Sequence, residues 1–195
     1  VSLYHASGSL VDSMVFGLQI PDRSIGRTGA GAATWSLNQP TPGSANLAQP
    51  LGSPVTLRLN EWLAKPDVVF ASDLIELYNP SVLPVSLGGL ALTDDPLSYP
   101  RRAVLPALSF IPAGGFALFK PVGSDSATPG NSTELPFKLG ADHGWLAISG
   151  ANAVEIDRVH FLCEARDQSQ GRATDGAALF ANFVLPTPGL SNTTD

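Results

Sequence analysis

Short runs in which apolar and polar residues alternate, interrupted every few positions by Gly or Pro, make up most of the chain. Val55, Leu57 and Leu59 alternate with Thr56, Arg58 and Asn60, the period of two that buries one face of a strand. Ile75 and Leu77 alternate with Glu76 and Tyr78 ahead of the breaker Asn79-Pro80, and Phe116 and Leu118 follow the turn signal Pro112-Ala113-Gly114-Gly115. Further strands are expected over 135–139, 145–149, 156–161 and 177–184. Turn signals recur too closely for crossover helices between parallel strands. The pattern therefore predicts an all-β antiparallel sandwich in preference to an α/β fold.

Composition agrees with many short elements. Gly and Pro number 19 and 17 among 195 residues, only 14% of residues are charged, and 44% are hydrophobic, enough for a sizeable core. A helix bundle would need long uninterrupted runs of helix formers, which are missing. Eleven basic against 17 acidic residues give a net charge of −6, with no basic run longer than Arg101-Arg102. Nucleic acid is thus not an expected partner. No stretch of about 18 apolar residues is present to span a bilayer, so membrane insertion is not expected either. Val1-Ser2-Leu3-Tyr4 lacks the regions of a signal peptide, and the chain is expected to begin after any targeting segment or within a longer protein. The single cysteine, Cys163, has no internal disulfide partner.

One internal repetition organises the whole chain. Val11-Asp12-Ser13-Met14-Val15-Phe16 returns as Ile156-Asp157-Arg158-Val159-His160-Phe161, with Asp12 and Asp157 145 positions apart. At the same offset Asp22-Arg23-Ser24-Ile25-Gly26-Arg27 answers Asp167-Gln168-Ser169-Gln170-Gly171-Arg172, and Gly31 answers Gly176. One residue further out of step, Pro40-Thr41-Pro42-Gly43-Ser44-Ala45-Asn46 answers Pro186-Thr187-Pro188-Gly189-Leu190-Ser191-Asn192. We read residues 1–46 as the closing half of a preceding repeat, 47–54 as a Pro- and Gly-rich linker without regular structure, and 55–193 as a complete repeat.

Within the complete repeat, Leu59-Asn60-Glu61, Asp73-Leu74-Ile75-Glu76-Leu77-Tyr78-Asn79-Pro80 and Leu87-Gly88-Gly89-Leu90-Ala91-Leu92-Thr93-Asp94-Asp95 occur in order. They are followed by Ile111-Pro112-Ala113-Gly114-Gly115-Phe116, Phe137-Lys138-Leu139, Asp157 to Phe161, Ser169-Gln170-Gly171-Arg172 and Pro188-Gly189-Leu190-Ser191-Asn192. This combination resembles the lamin tail domain in its bacterial, extracellular form. The resemblance implies an immunoglobulin-like sandwich without enzymatic activity or cofactor, a module of a multidomain cell-surface or secreted protein. Implied partners are a protein or surface glycan and neighbouring repeats of the same chain. No heptad segment accompanies it, so a filament role is not carried over. An alternative is a carbohydrate-binding accessory module of a secreted hydrolase, with Trp35, Trp62, Trp145, Tyr78 and Tyr99 as candidates for an exposed aromatic platform.

Candidate chemistry is weighed by comparing the two copies. His160 answers Val15 and Cys163 answers Leu18, so neither is expected to be a ligand or nucleophile. His143, placed in a turn at Asp142-His143-Gly144, and His5 are both read as surface residues. Asp94-Asp95 is read as a turn, since no calcium-loop ligand series follows it. Glu61 and Glu76 carry the residue types of a glycosidase acid and nucleophile, yet both fall in strand motifs, and structural roles are expected for them and for Asp157. Arg172 is expected to pair with Glu61 or Glu76, tying the end of the domain to its first strands. Gly171, like Gly26, is expected to supply either a special backbone conformation or a close approach that a Cβ would block. Gly29-Ala30-Gly31-Ala32 lacks the strand and helix of a phosphate loop and is read as a turn. Asn131-Ser132-Thr133 and Asn192-Thr193-Thr194 match glycosylation acceptors, a short pattern that arises often by chance. No catalytic, cofactor or metal residue is assigned.

Overall fold

The computed structural model describes residues 1–28, 34–128 and 130–193. The Gly29–Ala32 turn and Thr194 lie outside the described residues. In chain order the strands are β1 (Ser2–Tyr4), β2 (Leu10–Ser13), β3 (Ser24–Arg27), β4 (Trp35–Gln39), β5 (Leu47–Ala48), β6 (Arg58–Leu63), β7 (Leu74–Tyr78), β8 (Val85–Ser86) and β9 (Ala91–Thr93). They continue with β10 (Ala103–Val104), β11 (Phe110–Ile111), β12 (Phe116–Pro121), β13 (Glu134–Leu135), β14 (His143–Ser149), β15 (Glu155–Leu162), β16 (Ser169–Arg172) and β17 (Phe180–Phe183). Among the described residues the only helical element is a 3-10 turn at Pro54–Thr56.

Two sheets carry the main core. A six-stranded sheet runs β13-β12-β7-β6-β16-β17 and a four-stranded one runs β10-β9-β14-β15, antiparallel except for the short β12–β13 pair. Their facing side chains interleave: Leu59, Trp62, Ile75, Leu77 and Phe119 from the first meet Leu92, Leu146, Ile148 and Phe161 from the second. Each such side chain removed from water contributes about 1.5–3 kcal/mol, and together they fix which sheet faces oppose. The fold is an all-β sandwich, as the alternation predicts.

Local departures from that alternation have physical causes. A β-bulge between Leu59 and Glu61 lets Leu59 pair with Leu77 and Glu61 with Glu76, so the phase of the strand changes at Asn60. Trp62 then turns into the core while Glu61 and Glu76 share the opposite face. Pro54 imposes the 3-10 turn, so the strand begins at Arg58 and Val55 stays exposed. On β12 the buried positions are Ala117 and Phe119 instead of Phe116 and Leu118. Over 135–139, Leu135, Phe137 and Leu139 alternate inward, but only Glu134–Leu135 pairs with another strand. The last strand is likewise shorter than 177–184. His143 opens β14 and is no turn residue.

The segment 47–54 is not unstructured. Leu47–Ala48 pairs with β4, Gln49 N–H donates to Leu37 O at 2.9 Å, and Gly52 N–H donates to Pro84 O at 2.8 Å. Residues ahead of it pack on the sandwich through a second small core of Ile20, Leu37 and Phe110, flanked by Ile25 and Leu108. Phe110 N–H donates to Leu18 O at 2.9 Å and Gln19 Nε2 to Leu108 O at 2.8 Å, locking the two parts together.

Candidate functional site

The bulge gives the outer face of β6 and β7 two carboxylates directly opposite one another, an arrangement that repels unless donors converge on it. The C-terminal segment brings them. Glu61 accepts from Ser169 Oγ (2.5 Å), Thr187 N–H (2.9 Å) and Thr187 Oγ1 (3.0 Å). Glu76 accepts from Gly189 N–H at 2.6 Å and from Asn60 Nδ2 at 2.9 Å. Gly189 adopts φ 82°, the left-handed turn that presents this N–H. Both glutamates are buried, and the space beside them, closed by Leu118, Pro186 and Pro188, is about 10 Å³. That volume holds at most one water.

Asn60 sits at the centre of the same network. Its Oδ1 accepts from Gly176 N–H, its Nδ2 also donates to Asp175 Oδ1, and Asp175 in turn accepts from Asn192 N–H at 2.9 Å. Asn192 Nδ2 donates to Arg172 O (2.7 Å) and Asn60 O (3.3 Å), so this side chain of the second glycosylation pattern is buried and engaged.

Arg172 is buried, but its carboxylate partner is Asp157, at 2.8 Å, and neither Glu61 nor Glu76. The expected pairing is thus corrected: both glutamates already receive donors from Ser169, Thr187, Asn60 and Gly189, while Asp157 on β15 faces the guanidinium. Arg172 Nε donates to Leu59 O at 2.9 Å, Nη1 to Ala177 O, and the guanidinium stacks over Phe180 at 5.0 Å. Asp157 Oδ2 also accepts from Leu59 N–H at 2.8 Å, so the ion pair grips both backbone groups of Leu59. Gly171 permits this close packing: an added Cβ would lie 2.5 Å from Asn60 O and 3.1 Å from Glu61 Cα.

Two further carboxylates fasten the neighbouring loops. Asp167, at φ 54°, accepts from the N–H groups of Asp67, Val68, Val69 and Phe70 at 2.8–3.3 Å. Burial opposes its charge, but those four donors outweigh it and draw the pKa down to about 2. Glu164 accepts from Ala64 N–H at 2.8 Å while its other oxygen is buried without a partner. Desolvation lifts Glu164 to about 7, and desolvation aided by the Glu61 and Asp175 charges lifts Glu76 to about 7. Asp94 forms a forked pair with Arg102 (2.7 and 2.9 Å), and Asp95 caps its own turn by accepting from Ser98 N–H. Among the described residues no cluster of His, Cys, Asp and Glu could hold a metal ion. No described helix is long and apolar enough to cross a membrane.

Residues 1–46 carry the same registers 145 positions earlier. Ser2–Ser13, Leu3–Asp12 and Tyr4–Leu10 match Ala147–Arg158, Ile148–Asp157 and Ser149–Glu155, including the bulge after the second pair. All four pairs of β3 with β4 match those of β16 with β17. Asp22 takes φ 55° as Asp167 takes 54°, Arg27 pairs with Asp12 at 3.0 Å, and Asn46 Nδ2 donates to Arg27 O at 2.7 Å. The sequence comparison therefore contained a signal for Ser169, Thr187 and Asn192, since each has its like in Ser24, Thr41 and Asn46. Asp167 likewise has its like in Asp22, whereas Asn60, Asp175 and Glu164 lack so direct a pointer.

The aromatic candidates are scattered. Trp62 is core, Tyr99 stands alone on a loop, and exposed Trp145 lies against His160 at 4.5 Å with its ring tilted 41° and Arg158 over it at 5.2 Å. Cys163 is exposed. Set against known proteins, the chain matches no family model, no curated protein and no solved structure.

Proposed function

We propose that the chain is a non-catalytic interaction or structural module, immunoglobulin-like and of the lamin tail type, working within a bacterial cell-surface or secreted protein. The observation that carries this reading is the use made of Glu61 and Glu76. Their oxygens hold residues 187–189 in place, and the space beside them admits no substrate larger than water. The lamin-tail resemblance is supported by the same residues, since Asn60, Glu61, Glu76, Asp157, Gly171, Arg172 and Asn192 all fall in its motifs and all meet in one network. Matching registers in residues 1–46 support the reading of that segment as the closing half of a preceding repeat.

The test is hydrolysis of a panel of chromogenic glycosides and polysaccharides at pH 5 and 7 by the chain, by Glu61→Gln and by Glu76→Gln. The expected result is no turnover by any of them and a lower unfolding temperature for both variants. Turnover that vanishes in Glu76→Gln while the fold persists overturns the reading. A carbohydrate-binding role has one observation in its favour, the exposed Trp145 beside His160 and Arg158. Glycan-array binding lost in Trp145→Ala would establish it.

A further inference from the structure

In the sandwich, the groups that grip β6 come from four places: the Asp157–Arg172 pair, Ser169, Thr187 and Asn192. Residues 1–46 assemble their likes in the same geometry around a cleft of about 510 Å³ lined by Asp12, Gly26, Arg27, Trp35, Thr41 and Asn46. Nothing among the described residues fills it. The ion pair shows the difference directly: the side chains of Arg27 and Asp12 are 43% and 42% exposed, against 8% and 14% for Arg172 and Asp157.

Three features say what is missing. Among the described residues β3 is an edge strand, paired with β4 on one side only, where β16 pairs with both β17 and β6. Its free edge offers the backbone groups that an added strand uses. Thr41 Oγ1 is buried without a partner, whereas Thr187 Oγ1 donates to the Glu61 carboxylate; the fully buried Asn38 has an unpartnered Nδ2 poised over Gly26. Finally, Val1, Leu3 and Phe16 are 80%, 61% and 44% exposed, while their likes Leu146, Ile148 and Phe161 are at most 1% exposed in the core. An exposed ion pair and an orphan hydroxyl thus line one cleft beside a free strand edge, and the strand pair that carries Asp12 leaves its apolar side chains bare.

We infer that residues 1–46 form a strand-acceptor site for the opening strand of a module of this kind, an extended Leu-Asn-Glu segment like β6. The backbone of its Leu is held between Asp12 and Arg27, its Asn carbonyl meets Asn46, and its Glu carboxylate receives Ser24 and Thr41. At Gly26 the amides of Asn38 and Asn46 lie 2.6 Å from where a Cβ would stand, so they swing aside as the strand approaches. The inference rests on reading the chain as an interaction module, and its test is separate from turnover.

The probe is a fluorescent peptide of residues 56–65, Thr-Leu-Arg-Leu-Asn-Glu-Trp-Leu-Ala-Lys, titrated with the full chain and read by anisotropy. Saturable binding is expected, weakened tenfold or more when the peptide's Glu is replaced by Lys and when the chain carries Arg27→Glu or Thr41→Val. Amide shifts confined to Ser24–Arg27 and residues 41–46 locate the site independently of whether a variant is fully folded. No saturation up to about 1 mM peptide, or binding unchanged by both chain variants, overturns the inference. A dimer that persists in excess peptide and is unaffected by Arg27→Glu and Thr41→Val also overturns it, because something other than a Leu-Asn-Glu strand then covers the cleft.

Discussion

Replacing Arg172 by Ala removes one arm of an ion pair whose other arm, Asp157, stays in place with little access to water. Breaking a buried pair in this way typically costs about 3–5 kcal/mol, because an uncompensated charge remains. Two carbonyls, Leu59 O and Ala177 O, lose donors in the same step, which places the loss towards the upper end. For a domain of this size that corresponds to a fall of roughly 10–20 °C in the unfolding temperature. The chain carries its own control, since Arg27 makes the like pair with Asp12 where both side chains are over 40% exposed. An exposed pair contributes about 0–1 kcal/mol, so Arg27→Ala is expected to shift the same transition by a few degrees at most. Urea and thermal unfolding followed by Trp fluorescence, which reports on Trp62 within the core, measure both variants side by side. Equal losses for the two variants, or a loss under about 1 kcal/mol for Arg172→Ala, would refute the burial argument.

The pH response has a definite sign. Glu76 and Glu164 keep their protons up to about 7 in the folded chain against 4.5 ordinarily, so between those values the folded state binds more protons and stability falls as pH rises, by about 3 kcal/mol per group. The urea midpoint is expected to be higher at pH 5 than at pH 8, and Glu76→Gln should flatten that slope. Asp167, held at about 2, acts in the opposite sense, and its contribution is lost as pH falls from about 4 towards 2. Acid titration of Asp167→Asn should lack that loss. Gly171→Ala forces a Cβ against the backbone of β6 and should cost about 3 kcal/mol or more, whereas Gly26→Ala meets only side-chain amides and should cost far less; denaturation midpoints decide. Exposed Cys163 is expected to react with a thiol reagent in the native state, and protection until unfolding would contradict its placement.

The alternating run Leu74–Tyr78 announced its strand because period two is the image of a pleat with one apolar and one polar face, although both faces are covered in the fold. The bulge at Asn60 was not legible, since one inserted residue changes the phase without changing the composition of the run. The same blindness misassigned the partner of Arg172. Two glutamates on first strands looked like natural acceptors, but Asp12 with Arg27 and Asp157 with Arg172 recur together at one offset, and joint recurrence is the mark of a pair. The partners of Asp167 escaped for another reason. Its four donors are backbone N–H groups about a hundred residues away, and backbone carries no signature in a sequence.

Two like cradles in one chain also bear on how the chain finds its fold. Strand β6 must reach Arg172 across 113 residues, while Arg27 lies 32 residues behind it, from 59 back to 27. On the strand-acceptor inference, closing the shorter loop is favoured by about 1 kcal/mol in chain entropy, so the nearer cradle would capture β6 first whenever both are open. It is also made earlier during synthesis. Only the deeper burial of the pair with Arg172, and the C-terminal residues that clamp Glu61 and Glu76, draw the strand to its final place. The order in which acceptors emerge, as much as their strength, then governs the yield of correctly folded chains.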